Sequence, residues 1–113
     1  MPCRHKGITA VVAAAGNQPV STPTYPAAIS GVVAVAATQG GSLASYSNFG
    51  SFISLALPGA SVVYLGGQAW VVQGTSPATA YATGVAAGTK SGTSMTWAQI
   101  LAAMRQNFAV PAK

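Results

Sequence analysis

The sequence contains no Asp or Glu and only one His, and this absence excludes several classes of site. Side-chain zinc and calcium sites need several carboxylate, imidazole or thiolate ligands. With one His and one Cys, both near the start of the chain, no metal site is expected, and no motif points to another cofactor. The single cysteine, Cys3, also excludes a disulfide within the chain.

Charge of either sign is scarce. Charged residues make up 4% of the chain, and none lies between Gly7 and Thr89, whereas about a quarter of the residues of an ordinary domain are charged. Such a composition is typical of the buried interior of a larger protein. The net charge of +5 comes from five bases spread over the two ends and one helix end. Nucleic-acid-binding proteins cluster their bases, so no nucleic-acid partner is expected.

Long hydrophobic runs are also missing. Gly, Ser, Thr, Asn or Pro interrupts every apolar run before the roughly 18 residues that a spanning helix needs, so no membrane span is predicted. The basic segment Met1–Lys6 is followed by a run that resembles a core strand more than a signal peptide. We therefore expect either an intracellular protein or a chain whose natural start precedes Met1, and the localisation stays open.

Three apolar runs predict strands that are buried on both faces of a parallel sheet: Gly7–Ala15, Val32–Ala37 and Ile53–Leu57. Pro19, Pro23 and Pro26 place a loop between the first two runs. The length of 113 residues suits one core, so residues 1–113 are expected to form a single domain.

The second half of the chain predicts a hairpin and two helices. Val62–Leu65 and Ala69–Gln73 flank a glycine turn and indicate the hairpin. Small residues over Pro77–Thr89 predict a helix that is closely packed on every face, with Ser76 as its N-cap. Thr96 starts a second helix with a capping box. The predicted class is α/β: a partial doubly wound parallel sheet of about three strands, a β-hairpin and two C-terminal helices.

Several short motifs occur in a fixed order: an Ala-Gly-Asn at the end of the first strand, Tyr-Pro-Ala, Ser-Tyr-Ser-Asn-Phe-Gly, Leu-Pro-Gly, and Gly-Thr-Ser before the small-residue helix. They lie at 15–17, 25–27, 45–50, 57–59 and 74–76. Each motif alone is weak, but the ordered set resembles the C-terminal half of the catalytic domain of the subtilisin-like serine proteases (subtilases). The resemblance covers nearly the whole chain.

The resemblance implies a role for particular residues. Ser76 would be the nucleophile that forms an acyl-enzyme with a protein or peptide substrate. Asn17 would donate to the oxyanion together with the Ser76 N–H, because fixed donors and a helix N-terminus stabilise developing negative charge. Ala14, Ala15 and Gly16 would line a substrate pocket. The Tyr25–Pro26 bond would be cis, and the family is mostly secreted or periplasmic.

The sequence departs from the family pattern in what activates the serine. Subtilases carry a catalytic Asp and His on the N-terminal portion of the domain, and neither is present here. His5 is the only candidate base, and it stands before the first strand. Lys90 lies fourteen residues after Ser76, which is about 21 Å along a helix. A serine without a base in reach is a poor nucleophile, so the isolated chain is expected to be inactive.

The apolar strand edge at Gly7–Ala15 should recruit another strand, so we expect the chain to need the N-terminal half as a partner or to self-associate.

Two interpretations compete with that of a peptidase segment. Ser76 before Pro77 also fits an ordinary helix cap, and Asn17 after Gly16 an ordinary turn. The chain would then be a non-catalytic peptidase remnant that acts as a structural or protein-interaction module. The second alternative is an apolar protein that associates with membranes.

Overall fold

The computed structural model describes residues 11–111, which form a small α/β unit with one mixed sheet, a separate hairpin and two helices. The mixed sheet contains β1 (Val11–Ala14), β2 (Val32–Gln39), β3 (Ser42–Leu43) and β4 (Leu55–Pro58). Val and Ala dominate the first two of these strands, as expected for strands with both faces covered. The predicted α/β class with about three parallel strands is confirmed.

β2 is the central strand of the mixed sheet. Its Val35 pairs with Ala14 of β1 and with Leu55 of β4, and both neighbours run parallel to it. β3 adds a short antiparallel pairing with Thr38 and Gln39, which the sequence did not predict because a two-residue strand carries no periodicity. Within residues 11–111, no strand pairs with the outer edge of β1.

The hairpin consists of β5 (Ala60–Leu65) and β6 (Gln68–Gln73), and it confirms the prediction with slightly longer strands. Gly66 and Gly67 form its two-residue turn with φ values of 60° and 79°. Two positive φ angles in succession suit the turns that match the twist of a hairpin, and glycine adopts them without steric cost. The hairpin forms a sheet of its own.

The first helix, α1 (Thr75–Ser91), packs its alanines on the sheet. Ala78, Ala82 and Ala86 are buried at intervals of four residues, so they form one stripe along the helix. Their small side chains allow a close approach to β1, β2 and β4. The opposite face, which includes Tyr81 and Gly84, is exposed in the described part of the chain, so burial on every face was a wrong expectation for these residues.

The second helix, α2 (Trp97–Asn107), starts with the predicted capping box. The Gln99 N–H donates to Thr96 Oγ1 at 3.2 Å, and the Thr96 N–H donates to Gln99 Oε1 at 2.9 Å. Ile100, Leu101 and Met104 of this helix are buried in the core.

The sheet separates two apolar clusters. Val33, Val35 and Ala37 of β2 belong to the cluster that α1 and α2 cover. Ala36 belongs to a second, smaller cluster, which includes part of the chain after α2. Successive side chains of a strand point to opposite faces, so both faces of β2 are covered. No helix within residues 11–111 has the length and apolar character needed to cross a membrane. The Tyr25–Pro26 peptide bond is cis, as the resemblance implied.

A side chain at Gly59 should destabilise the fold. The buried Gly59 joins β4 to the hairpin, and a Cβ there would lie against the Tyr46 hydroxyl, 2.6 Å from Ala37 Cβ and 2.9 Å from Gly74 O. We expect Gly59→Ala to lower the free energy of unfolding by about 1–3 kcal/mol. The control is Gly84→Ala in α1, where a Cβ meets nothing within 4 Å, and which should stabilise by about 0.5–1 kcal/mol.

Urea denaturation followed by circular dichroism measures both changes. Equal stability of the Gly59→Ala variant and the unmodified chain would contradict this packing argument.

Candidate active site

The candidate site lies where the loop after β1 meets the start of α1. The loop carries Gly16 and Asn17, and the helix begins at Thr75. The carboxyl ends of the strands of a parallel sheet are the usual place for ligand sites in α/β folds.

Two hydrogen bonds connect the loop to the helix, and together they are called the loop–helix clamp below. The Gly16 N–H donates to Thr75 Oγ1 at 3.1 Å, and the Thr75 N–H donates to Asn17 Oδ1 at 2.8 Å. Thr75 is 1% exposed, so both bonds involve a residue that is shielded from water. Each segment therefore supplies one donor and one acceptor, which fixes their relative position.

The clamp also orients the Asn17 amide. Because a backbone N–H requires an oxygen acceptor, the bond from Thr75 assigns Oδ1 to that side. Asn17 is exposed, and its Nδ2 donates to no atom of residues 11–111. The side chain passes close to Gly74, where a Cβ would come within 3.2 Å of Asn17 Nδ2. Gly74 therefore leaves room for this amide, which retains two free N–H donors.

Ser76 is the second residue of α1, and Gly74 is the N-cap. The expectation that Ser76 is itself the cap was wrong, since the helix starts two residues earlier than predicted. Pro77 is compatible with this start because the N–H groups of a first helical turn have no partner within the helix. Gly74 has no side chain that could accept a hydrogen bond from the first turn. Instead, Asn17 accepts one from 58 residues away.

The exposed Ser76 has two free polar groups. Neither its hydroxyl nor its N–H makes a hydrogen bond with the described residues. The N–H points out of the first turn of a 17-residue helix, whose N-terminus carries partial positive charge. An anionic oxygen beside Ser76 would therefore meet a favourable local field.

Ala14, Ala15 and Gly16 lie at the end of β1 and at the start of the loop. Ala15 is fully buried, and its N–H donates to Val35 O at 2.9 Å. Gly16 has a φ of 113°, a conformation that favours glycine. The three residues thus lead directly into Asn17, and their role as pocket residues stays a prediction.

A groove of about 770 Å³ lies on the hairpin side of Ser76. Its lining is mostly apolar and includes Ser76, Pro77 and Tyr81 of α1 together with Val63 and Val72 of the hairpin. Ala14, Ala15 and Gly16 are not among its lining residues. The groove gives Ser76 access to a ligand of substantial size.

The described residues bring no base to Ser76. Lys90 lies in the last turn of α1, where its Nζ donates to Met95 O at 2.8 Å and stands 5.7 Å from the centre of the Trp97 ring. His5 lies outside the described residues. No group of three or more His, Cys, Asp or Glu side chains that could hold a metal occurs within residues 11–111.

Sequence reasoning missed two residues of the site, Thr75 and Asn48. Thr75 was seen only as part of a motif, and nothing local indicates that its hydroxyl accepts from Gly16. Asn48 lies in the Ser-Tyr-Ser-Asn-Phe-Gly motif at 45–50, which the sequence analysis used only for the resemblance. It is completely buried, although Asn in such a stretch usually signals an exposed turn.

Comparison with known proteins gives consistent matches. The model of the subtilase family matches residues 3–111. The thermostable alkaline protease of Halalkalibacterium halodurans is 45% identical over 84 residues, which is 72% of this chain and 23% of that protein. Thermitase of Thermoactinomyces vulgaris is 42% identical over 79 residues, which is 67% of this chain and 28% of that protein.

Solved structures agree with the sequence matches. A protease from Pseudoalteromonas arctica superposes with a TM-score of 0.70 at 33% identity, over 83% of this chain and 34% of that one. A cold-adapted subtilisin-like serine proteinase gives a TM-score of 0.67 at 34% identity, over 79% and 34%. The chain therefore spans about a third or less of the proteins that it matches.

The match covers the strands, the hairpin and both helices, and it includes the loop and the helix start that form the candidate site. The fold and the family model thus lead to the same conclusion: the chain belongs to the subtilase family of serine proteases.

Proposed function

We propose that this chain is the nucleophile-bearing segment of a subtilisin-like serine endopeptidase. Ser76 Oγ attacks the carbonyl carbon of a peptide bond while its proton passes to a base. The base then protonates the leaving amine, the C–N bond breaks, and an acyl-enzyme remains on Oγ until water hydrolyses it. The observation that carries the proposal is the arrangement at the helix start: an exposed serine hydroxyl, a free Ser76 N–H and the free Asn17 Nδ2 on adjoining segments.

The oxyanion of the tetrahedral intermediate is held by Ser76 N–H and Asn17 Nδ2. Both donors are oriented before substrate arrives, the first by the helix and the second by its bond to Thr75. Preorganised donors of this kind supply a large share of the rate enhancement in acyl transfer. Pro77 contributes no N–H, and the proposal requires none from it.

The base and the carboxylate that orients it come from residues outside this sequence. The sequence has no acid, and Lys90 is held by Met95 O at the far end of the helix. By family resemblance, the N-terminal half of a subtilase catalytic domain carries the Asp and the His. The chain alone is therefore inactive, and protein or peptide substrates are hydrolysed only when that half is present.

Complementation tests the proposed nucleophile. The chain is co-expressed with the N-terminal half of a relative's catalytic domain, and hydrolysis of a chromogenic peptide is measured. We expect activity only from the combination, and its loss in Ser76→Ala, because that substitution removes the exposed hydroxyl at the helix start. Activity that survives Ser76→Ala would refute the proposal. Absence of activity in an assembled complex would favour the non-catalytic remnant.

A second substitution separates the two functions of the Asn17 side chain. Asn17→Asp retains the oxygen that accepts from Thr75 N–H but loses the Nδ2 donor. In the complemented enzyme we expect kcat to fall by about a hundred- to a thousandfold, with little change in KM or in thermal stability. Asn17→Ala should lower both kcat and stability, since it also removes the acceptor. An unchanged kcat in Asn17→Asp would contradict the oxyanion role.

The chain without its partner should associate with itself. The outer edge of β1 is unpaired within residues 11–111, and the hairpin exposes large apolar side chains such as Tyr64, which is 79% exposed, and Val71, which is 70% exposed. Size-exclusion chromatography with light scattering should show species larger than a monomer, and the N-terminal half should convert them to a one-to-one complex. A clean monomer peak at micromolar concentration would contradict this expectation.

A further inference from the structure

The polar side chain of Asn48 comes from a later segment of the chain and bonds to the loop that carries Asn17. It is 0% exposed, and its amide uses both donors and its acceptor oxygen. Its Nδ2 donates to Ala15 O and to Thr24 Oγ1, both at 2.9 Å. Its Oδ1 accepts from Gln18 N–H at 2.8 Å and from Val20 N–H at 3.4 Å.

The main chain of Asn48 adds a further bond to the same loop. Its N–H donates to Gly16 O at 2.9 Å. Asn48 therefore holds the residues on either side of Asn17: the carbonyls of Ala15 and Gly16 before it and the N–H of Gln18 after it. Asn17 itself makes no hydrogen bond with Asn48, and its side chain accepts one from the Thr75 N–H instead.

Gly16 makes this arrangement possible. With φ at 113°, it turns the loop over the Asn48 side chain, and a Cβ at Gly16 would lie against Asn48 Nδ2. The amide of Asn48 thus fills the space that a side chain on the loop would need. A substitution at Gly16 or at Asn48 would therefore change how the loop lies against Asn48.

We propose that Asn48 is the positioning residue that sets where the Asn17 amide stands relative to Ser76. This inference rests on the proposed function of Asn17 and names what holds it in place. A loop of five exposed or half-buried residues at 16–20 would otherwise have few fixed contacts, while an oxyanion donor must be placed within about 0.5 Å. A shift of about 1 Å can lower a rate by about a hundredfold.

The first test needs no catalytic activity. Amide hydrogen exchange of the Thr75 N–H reports whether Asn17 Oδ1 still accepts from it, since the two are 2.8 Å apart. We compare Asn48→Ala with Met104→Ala, which removes a buried side chain from α2 and leaves the loop unchanged. In each variant, the exchange rate of the Thr75 N–H is divided by the mean exchange rate of the β2 amides.

We expect Thr75 N–H to exchange at least about tenfold faster in Asn48→Ala than in Met104→Ala, because local opening adds to global unfolding. Equal normalised rates in the two variants would overturn the proposal.

A pair of glycine variants covers the case in which Asn48→Ala fails to fold. Gly16→Ala and Gly31→Ala both place a side chain at positive φ, at 113° and 91°, but only the first meets another residue, Asn48. The backbone strain is therefore similar, but Gly16 alone also donates to Thr75 Oγ1, so a difference between the two variants shows that the turn at Gly16, which lies against Asn48, holds the clamp. We expect faster Thr75 exchange in Gly16→Ala alone, and the same rate in both variants would count against the proposal.

The second test uses the complemented enzyme with titrated active sites. Asn48→Ala should lower kcat per active site by roughly tenfold to a hundredfold with KM within about twofold, whereas Met104→Ala should lower only the number of folded sites. An unchanged kcat in Asn48→Ala would overturn the positioning role. If the unmodified complex shows no Ser76-dependent activity, the proposed function fails, and the exchange experiment still decides whether Asn48 positions Asn17.

Discussion

The loop–helix clamp is the constraint on which the rest of the site depends. Gly16 and Thr75 lie 59 residues apart, yet the hydroxyl of one accepts from the N–H of the other, while Asn17 accepts from Thr75 in return. Because the helix lacks a capping side chain of its own, its first turn is completed by a residue from another segment. The same bond caps the start of the helix and orients the Asn17 Nδ2 donors. The helix start and the candidate oxyanion site therefore depend on one hydrogen bond.

Neutral hydrogen bonds replace charge throughout this unit. The sequence offers no carboxylate, so polar groups inside residues 11–111 depend on amides, hydroxyls and the main chain. Ser47 is an example: its hydroxyl accepts from Ala37 N–H at 3.0 Å and donates to Asn48 O at 3.0 Å. No buried side-chain nitrogen or oxygen of the described residues lacks a hydrogen-bond partner. In a fold with so few charges, hydrogen bonds between neutral groups therefore offset the cost of burying polar atoms.

Local patterns in the sequence predicted those elements that local physics determines. Continuous Val and Ala runs gave the parallel strands, the Gly66–Gly67 pair gave the hairpin, and Thr96 with Gln99 gave the start of α2. The start of α1 was placed two residues late, because its cap comes from Asn17 and no pattern near Ser76 encodes that. Asn48 was missed for the same reason. Its partners lie 24 to 33 residues earlier in the chain, and only the folded arrangement brings them together.

The site residues were named from family resemblance, and the structure adds how they are held. The ordered motifs identified Ser76 and Asn17 as candidates through the resemblance to the family, in which the Gly-Thr-Ser and Ala-Gly-Asn motifs carry these roles. The motifs do not encode which atom of Asn17 points where. That orientation follows from the Thr75 N–H, whose direction is set by the helix.

The hairpin turn offers a practical site for attaching a probe. Gly66 and Gly67 are exposed, and a Cβ at either would meet nothing within 4 Å. The β5–β6 ladder continues from the turn down to Ala60 and Gln73, next to the helix that carries Ser76. Exposed loop tips of this kind tolerate insertions well. A fluorophore or affinity tag at the turn would report assembly with a second polypeptide from the end of the hairpin, although replacing either glycine at its positive φ would strain the turn.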